Sequence, residues 1–369
     1  MRHDEDGVEV VENLPGSLTA AAEWFVDPTP ELAIGVARGP EELQLFRVTD
    51  AATLGDHIVV VNAGTHELRR FDREGRFIDK AGRGGEGPGE FVFPHRLWVL
   101  EGPSIVVWDP GLRRLSFFDG EGRFERMVVP SRPGSNPEVV AVFADGAFAV
   151  TDWTLVIRGE DFEDSPLELS LFSPEGELVR ALGSWPHGRT GRFGEIGRVG
   201  RQVFDAMAHV AGAPGSVWAG SAREAEVTRF AAGGQRTQVV RWPVESRIVE
   251  PRHVDAHFRA RVEDDPDDEA LVEELRRVQP VTSHFPEYET LIADEAGRLW
   301  VKRYRAPGDE GGEAWLVFDR SGALVARATT PRGFAPFEIG EDYLLGARID
   351  AAGFEQVVMY RLSREPGNL

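Results

Sequence analysis

Residues 58–82 read IVVVNAGTHELRRFDREGRFIDKAG, and residues 105–129 read IVVWDPGLRRLSFFDGEGRFERMVV. Each stretch opens on a continuous apolar run and passes through a variable loop. Each then resumes with a β-rich run ending in Phe-Asp and turns at a glycine, Gly75 or Gly122. Short runs rich in Val, Ile, Phe and Trp form strands, because branched and aromatic side chains pack well on a pleated surface. FDREGRF and FDGEGRF read as hairpin turns in which Gly supplies the positive φ that other residues resist.

The same unit recurs more loosely at 167–183 (LELSLFSPEGELVRALG), 225–242 (AEVTRFAAGGQRTQVVRW), 314–330 (AWLVFDRSGALVARATT) and 355–367 (EQVVMYRLSREPG), making six copies. A further short strand precedes the later copies, as in RLWVLEG (96–102), VVAVFADG (139–146) and TLIADEAG (290–297). Four strands per unit, repeating at about 45–55 residues, define a propeller blade. The expected fold is therefore all-β: a six-bladed β-propeller of four-stranded blades.

The sixth copy stops after its third strand. Near the other end, ELAIGVARGPEELQLFRV (31–48) resembles RFIDKAGRGGEGPGEFVF (76–93), the fourth strand and junction of the first copy. Residues 32–37 are thus expected to supply the missing outer strand of the last blade and close the ring without an open edge. This leaves residues 1–30 as an N-terminal extension and 31–369 as the propeller. One segment breaks the repeat, at about 244–286. It carries Val254, Phe258 and Val262 at helical spacing. Asp265 then stands as an N-cap before Pro266, and Leu271, Leu275 and Val278 form a second stripe. The pattern predicts a short helical insertion between blades four and five.

Composition narrows the function. The formal net charge is −21, which argues against nucleic acid or an anionic membrane surface as a partner. No cysteine is present, excluding disulfides and thiolate chemistry. No apolar run is long enough to span a bilayer. The acidic start MRHDEDGVEVVENLPG is not a signal peptide. A cytoplasmic protein is expected if Met1 is the true start.

Residues 82–124, GRGGEGPGEFVFPHRLWVLEGPSIVVWDPGLRRLSFFDGEGRF, resemble an NHL-type propeller repeat, with its pattern falling on Phe91, Pro94, His95, Asp109 and the turn from Phe118 to Gly122. The chain as a whole is similar to a group of bacterial six-bladed propellers, many of them exported or lipid-anchored. That resemblance implies a propeller fold and a periplasmic or extracellular setting, and it carries no catalytic residues with it.

Several motifs read as structure. GRGGEG (82–87) satisfies G-x-G-x-x-G, but Pro88 and Gly89 follow where a dinucleotide site needs a helix, so it reads as an interblade loop. His253 and His257 share a helix face without the Glu of a zinc-protease motif, and read as a solvated face. The acidic run 263–269 lacks calcium-loop spacing and reads as a turn between two helices.

Two regions remain for function. Loops at one face of the ring carry Asn62, Asp109, Asp152, Trp153, Arg192, Arg201, Arg303, Tyr304 and Arg348. Arg and aromatic residues anchor recognition surfaces, and loops on a rigid scaffold often hold sites. The leading expectation is a non-enzymatic binding or scaffold propeller taking a protein, peptide or glycan partner there, with no cofactor. The alternative is a metal-dependent hydrolase or lyase. In six-bladed enzymes of lactonase or lyase type, a divalent metal sits in the central channel. Here His95, Asp205 and His209 would be its ligands, with Glu287 and Glu338 at comparable positions.

Overall fold

The structure, a computed structural model, describes residues 1–102, 104–131, 134–158, 161–244, 247–350 and 352–364. Six blades of antiparallel strands stand around a central axis, two of them joined through an N-terminal strand into one nine-stranded sheet. Their innermost strands are Val48–Leu54, Arg96–Leu100, Pro137–Val142, Ala208–Ala213, Tyr288–Ala293 and Ala335–Ile339. The second strand of each blade is sandwiched between neighbouring blades. In His57–Asn62, for example, Ile58, Val59, Val60 and Val61 are all buried. A strand covered on both faces reads as a continuous apolar run, which explains the IVVV and IVVW openings.

The Phe-Asp-x-x-Gly turns close in one way. Asp72 accepts the N–H groups of Glu74 (3.0 Å) and Arg76 (2.9 Å), and Gly75 has φ +79°. Asp119 repeats this with Glu121, Arg123 and Gly122, and Asp319 with Ser321, Ala323 and Gly322. The preceding aromatic marks a register shift at Phe71, Phe118, Phe230 and Phe318, a bulge that turns the strand into its hairpin.

Leu32–Ile34 pairs antiparallel with Glu355–Ser363 and completes blade six. The glycine turn expected for the sixth copy at 365–367 lies outside the described residues. Residues 1–30, expected as an extension, lie along the rims of blades four and five. Arg2–Glu5 and Val8–Glu12 form a hairpin whose second strand runs parallel to Arg236–Arg241, extending blade four to six strands. After α1 (Pro15–Ala20), Ala22–Val26 runs parallel to Leu324–Thr330 and also touches Glu355–Ser363. Val10, Val11 and Trp24 are buried there, Trp24 against Trp300 at 5.6 Å. These pairings are made with strands hundreds of residues away, so no local repeat announces them.

The helical insertion consists of α2 (Pro251–Asp264) and α3 (Glu269–Val278), joined by a short 3-10 turn at Pro266–Asp268. Asp265 accepts the N–H of Asp267 at 3.2 Å, as the cap predicts, and residues 245–246 of the expected insertion are outside the described residues. Phe258 and Val272 are buried against Val203, Phe204, Phe285 and Ala306, so the second stripe centres on Val272 rather than Leu271. His253 and His257 are not a solvated face. His253 is buried, accepts the N–H of Glu250 at 3.0 Å and packs on Phe285, while His257 packs on Phe204. Blade three also departs from the repeat. Its outer pair, Glu163–Phe172 and Leu178–Phe193, is long and carries a fifth strand, Arg198–Arg201. Arg198 pairs with Glu274 of α3 at 3.0 Å, joining the two irregular parts on one side of the ring.

Ile34 is 2% exposed within the closing strand, so Ile34→Ala should cost about 2–5 kcal/mol in urea unfolding. Arg2→Ala on the exposed hairpin should stay within about 0.5 kcal/mol. Equal midpoints for the two variants would mean that the closing strand contributes nothing to stability.

Candidate functional site

The innermost strands enclose a channel of about 650 Å3. Its lining mixes Trp98, Val140, Val210, Ile292 and Phe337 with Asp50, His95, Arg96, Glu289, Lys302 and Glu338. Several polar groups cross from one blade to the next. Asp50 of blade one is buried and accepts the N–H of Leu97 of blade two at 2.8 Å. His95 of blade two shares a 2.7 Å hydrogen bond with Glu138 of blade three, whose other oxygen accepts the Trp108 indole N–H at 3.1 Å. Glu338 of blade six accepts the hydroxyls of Thr53 of blade one (2.8 Å) and of Tyr343 (2.6 Å). Burial pushes the Asp50 carboxyl up to about 6, against the pull of Arg96. Burial likewise pushes Glu338 up to about 7, against its hydrogen bonds from Tyr343 and Thr53.

The residues expected to hold a channel metal do not converge. His95 spends its Nδ1 on Glu138. The two oxygens of Asp205 accept the N–H groups of Arg189 and Ala206. His209 packs on the Tyr288 ring at 5.5 Å, and Glu338 is committed to Thr53 and Tyr343. Glu287 donates its backbone N–H to Ala222 at 2.8 Å. Among the described residues, no group of three or more His, Asp or Glu is placed to hold a metal ion. The side chains therefore do not fit a metal centre built on His95, Asp205 and His209.

On the loop-rich face, three of the expected residues are internal braces. At the end of the second strand in blades one, two and three, an acceptor side chain takes backbone N–H groups from the segment entering the innermost strand. Asn62 takes that of Phe46 (2.7 Å), Asp109 those of Val92 (2.8 Å) and Phe93 (3.1 Å), and Asp152 those of Ser135 (3.2 Å) and Asn136 (2.6 Å). Asn62 and Asp109 are fully buried. Arg348 is held within blade six by Gln356 and the Tyr360 hydroxyl. Arg192 is exposed and reaches the Gly197 carbonyl across its own hairpin. Arg303 and Tyr304 line a small recess with Trp242, Arg247 and Phe285. Tyr304 stacks on Phe285 at 5.4 Å there, beneath the helical insertion.

The remaining candidates meet at the junction of blades three and four. The Arg201 guanidinium lies 5.3 Å from the Trp153 ring. His187, which the sequence did not single out, is 6.1 Å from the same ring and hydrogen-bonds the Ala208 carbonyl through Nδ1 at 3.1 Å. Burial lowers the pKa of His187, and the positive charge of Arg201 lowers it further. Burial, then His187, pushes the neighbouring His209 down to about 4. Arg201 is partly buried, and burial lowers its pKa against the opposing influence of Asp205. Among the described residues its guanidinium has no hydrogen-bonded acceptor and no carboxylate within ion-pair distance. A partly buried guanidinium held against an indole, with no acceptor among the described residues, keeps its N–H donors available to an anion. His187 lies in SWPHGRTGRF (184–193), the stretch that overruns the blade repeat, and that overrun was its only signal.

The comparisons bear on the fold. Residues 40–128 match a family described as 6-bladed β-propeller. A Bacteroides fragilis protein described as a putative exported protein superposes with a TM-score of 0.54 at 9% identity, covering 96% of this chain and 99% of its own. A member of the DUF4221 family from Bacteroides vulgatus gives 0.52 at 10% identity, over 94% of this chain and 100% of its own. Virginiamycin B lyase from Staphylococcus aureus reaches only 0.41 at 9% identity, over 92% and 99%, too remote to carry any argument. No curated protein matches the sequence. The chain thus has the fold of the six-bladed β-propellers, and among the described residues no helix is long and apolar enough to cross a membrane.

The raised Glu338 gives a pH test. A carboxyl whose folded pKa lies above its unfolded value stabilises fully below the unfolded pKa, and that contribution fades as pH rises through the folded one. For Glu338 the window runs from 4.5 to about 7. Glu338→Gln keeps acceptor and shape, so the variant should gain on wild type across that window in urea midpoints. A constant difference at all pH values would refute the assignment.

Proposed function

We propose that the chain is a binding propeller that recognises a protein, peptide or glycan partner on its loop-rich face, centred on Trp153 and Arg201. The observation that carries this reading is the Arg201 guanidinium, partly buried on Trp153 and without a protein acceptor among the described residues. Leaving such a group unpaired costs stability, and a ligand that supplies the acceptor recovers that cost as affinity. Other expected contacts fall into a different category, since Asn62, Asp109, Asp152 and Arg348 already have partners within the ring. NHL-type repeats remain part of the proposal. The Asp109 brace onto Val92 and Phe93 supports them by giving that motif position a physical role. A periplasmic or extracellular setting is also proposed, by analogy with the description of the Bacteroides fragilis protein.

Peptide and glycan arrays probed with the wild-type chain, Arg201→Ala and Trp153→Ala provide the test. Signals specific to wild type should drop at least about tenfold in both variants, while circular dichroism shows them folded. Arrays identical for all three proteins would sink the assignment of this face.

A further inference from the structure

We propose that the junction of blades three and four binds the carboxylate of an anionic ligand, with Arg201 as counter-ion and His187 taking up one proton as the carboxylate arrives. This rests on the reading of Trp153 and Arg201 as the recognition centre and adds the ligand's chemistry.

The chain carries 62 acidic residues against 41 basic ones, so an arginine without a carboxylate among the described residues needs a local cause. Among the described residues, three acids of this region are already engaged. Asp164 pairs with Arg223 and lies 3.7 Å from Arg189. Glu274 pairs with Arg198 at 3.0 Å. Asp205 accepts the backbone N–H groups of Arg189 and Ala206, leaving it outside ion-pair distance of Arg201. The Arg201 backbone, by contrast, is fixed. It pairs with Thr190 across the strand, and its carbonyl accepts the Gln279 side-chain N–H at 2.9 Å. A planar guanidinium on an anchored backbone, flanked by an indole, presents a two-pronged donor matched to a carboxylate, and the indole suits a flat or apolar body behind it.

The proton follows from the tautomer. The Ala208 carbonyl can only accept, so Nδ1 of His187 carries the hydrogen and Nε2 is the atom that titrates. The groups bearing on this ring are Arg201, His209 and Trp153, with Asp205 acting on Arg201. Burial and Arg201 together hold His187 below its ordinary value. A bound carboxylate cancels the field of Arg201, the His187 pKa rises, and Nε2 takes one proton from solvent. No covalent bond forms or breaks. His209, held near 4, stays neutral. Affinity therefore rises as pH falls through the range in which His187 titrates.

Titration calorimetry on the full chain tests this with three probes: benzoate, inorganic phosphate and benzyl alcohol. At about pH 6 benzoate should bind more tightly than at about pH 8, with a heat that varies with the buffer's ionisation enthalpy. Arg201→Gln should weaken benzoate at least about tenfold. Arg201→Lys should recover only part of the loss, because an ammonium lacks the fork. His187→Gln should lose both the proton uptake and the pH dependence. Benzoate binding no tighter than benzyl alcohol, or unchanged in Arg201→Gln, overturns the proposal. Phosphate binding tighter than benzoate with the same dependence on Arg201 overturns the carboxylate in favour of a phosphate. Array signals that require Arg201 alongside a failed benzoate titration would remove only the ligand chemistry; signals indifferent to Arg201 would remove the recognition centre as well.

Discussion

Leu32–Ile34 completes blade six by pairing with Glu355–Ser363, and the geometry of the ring depends on that short ladder. A propeller blade buries its faces only against the next blade, so an open seam would expose two apolar sheets. Once the seam is closed, the channel wall can be stitched across blades by Asp50 to Leu97, His95 to Glu138 and Glu338 to Thr53. The last of these spans the seam itself, so a carboxyl with a raised pKa sits where the first and sixth blades meet. The chain reinforces the same region from outside. Ala22–Val26 bridges the outer strands of blades five and six, and Val8–Glu12 continues onto blade four.

Most of this ring was legible in the residue order for a simple reason. A second strand buried on both faces must be apolar throughout, and a turn needing positive φ favours Gly, so the blade leaves a local signature. The clasp was legible because it copies a fourth strand found elsewhere in the chain. Residues 1–30 copy nothing. Their strands add in parallel to outer edges and depend on partners such as Arg236–Arg241 and Leu324–Thr330, a relation that no window of sequence contains.

The site was legible only in part, and the misreadings share one cause. Asn62, Asp109 and Asp152 were read as a polar face, whereas each accepts backbone N–H groups from the segment entering its own blade. A polar residue in a loop looks the same in sequence whether it meets water or an amide. The repeat itself holds the distinguishing clue, since an acceptor recurs at one register position in three successive blades. Trp153, His187 and Arg201 belong to no such recurrence. They stand where blade three lengthens and gains a fifth strand, outside what the fold requires.

That asymmetry also explains why the Arg201 guanidinium can stand without an acceptor among the described residues. The lengthened hairpin of blade three and α3 lock together through Arg198 and Glu274, and Gln279 holds the Arg201 carbonyl. Arg201 is therefore fixed in its main chain by elements that do not need its side chain. Collapse toward an acid is blocked, because the closest, Asp205, is itself held by backbone N–H groups. With the backbone ordered during folding and the guanidinium resting on Trp153, a ligand would meet a donor whose conformational freedom is already largely spent. Little further entropy is then lost on binding, the condition under which one charged contact contributes most to affinity.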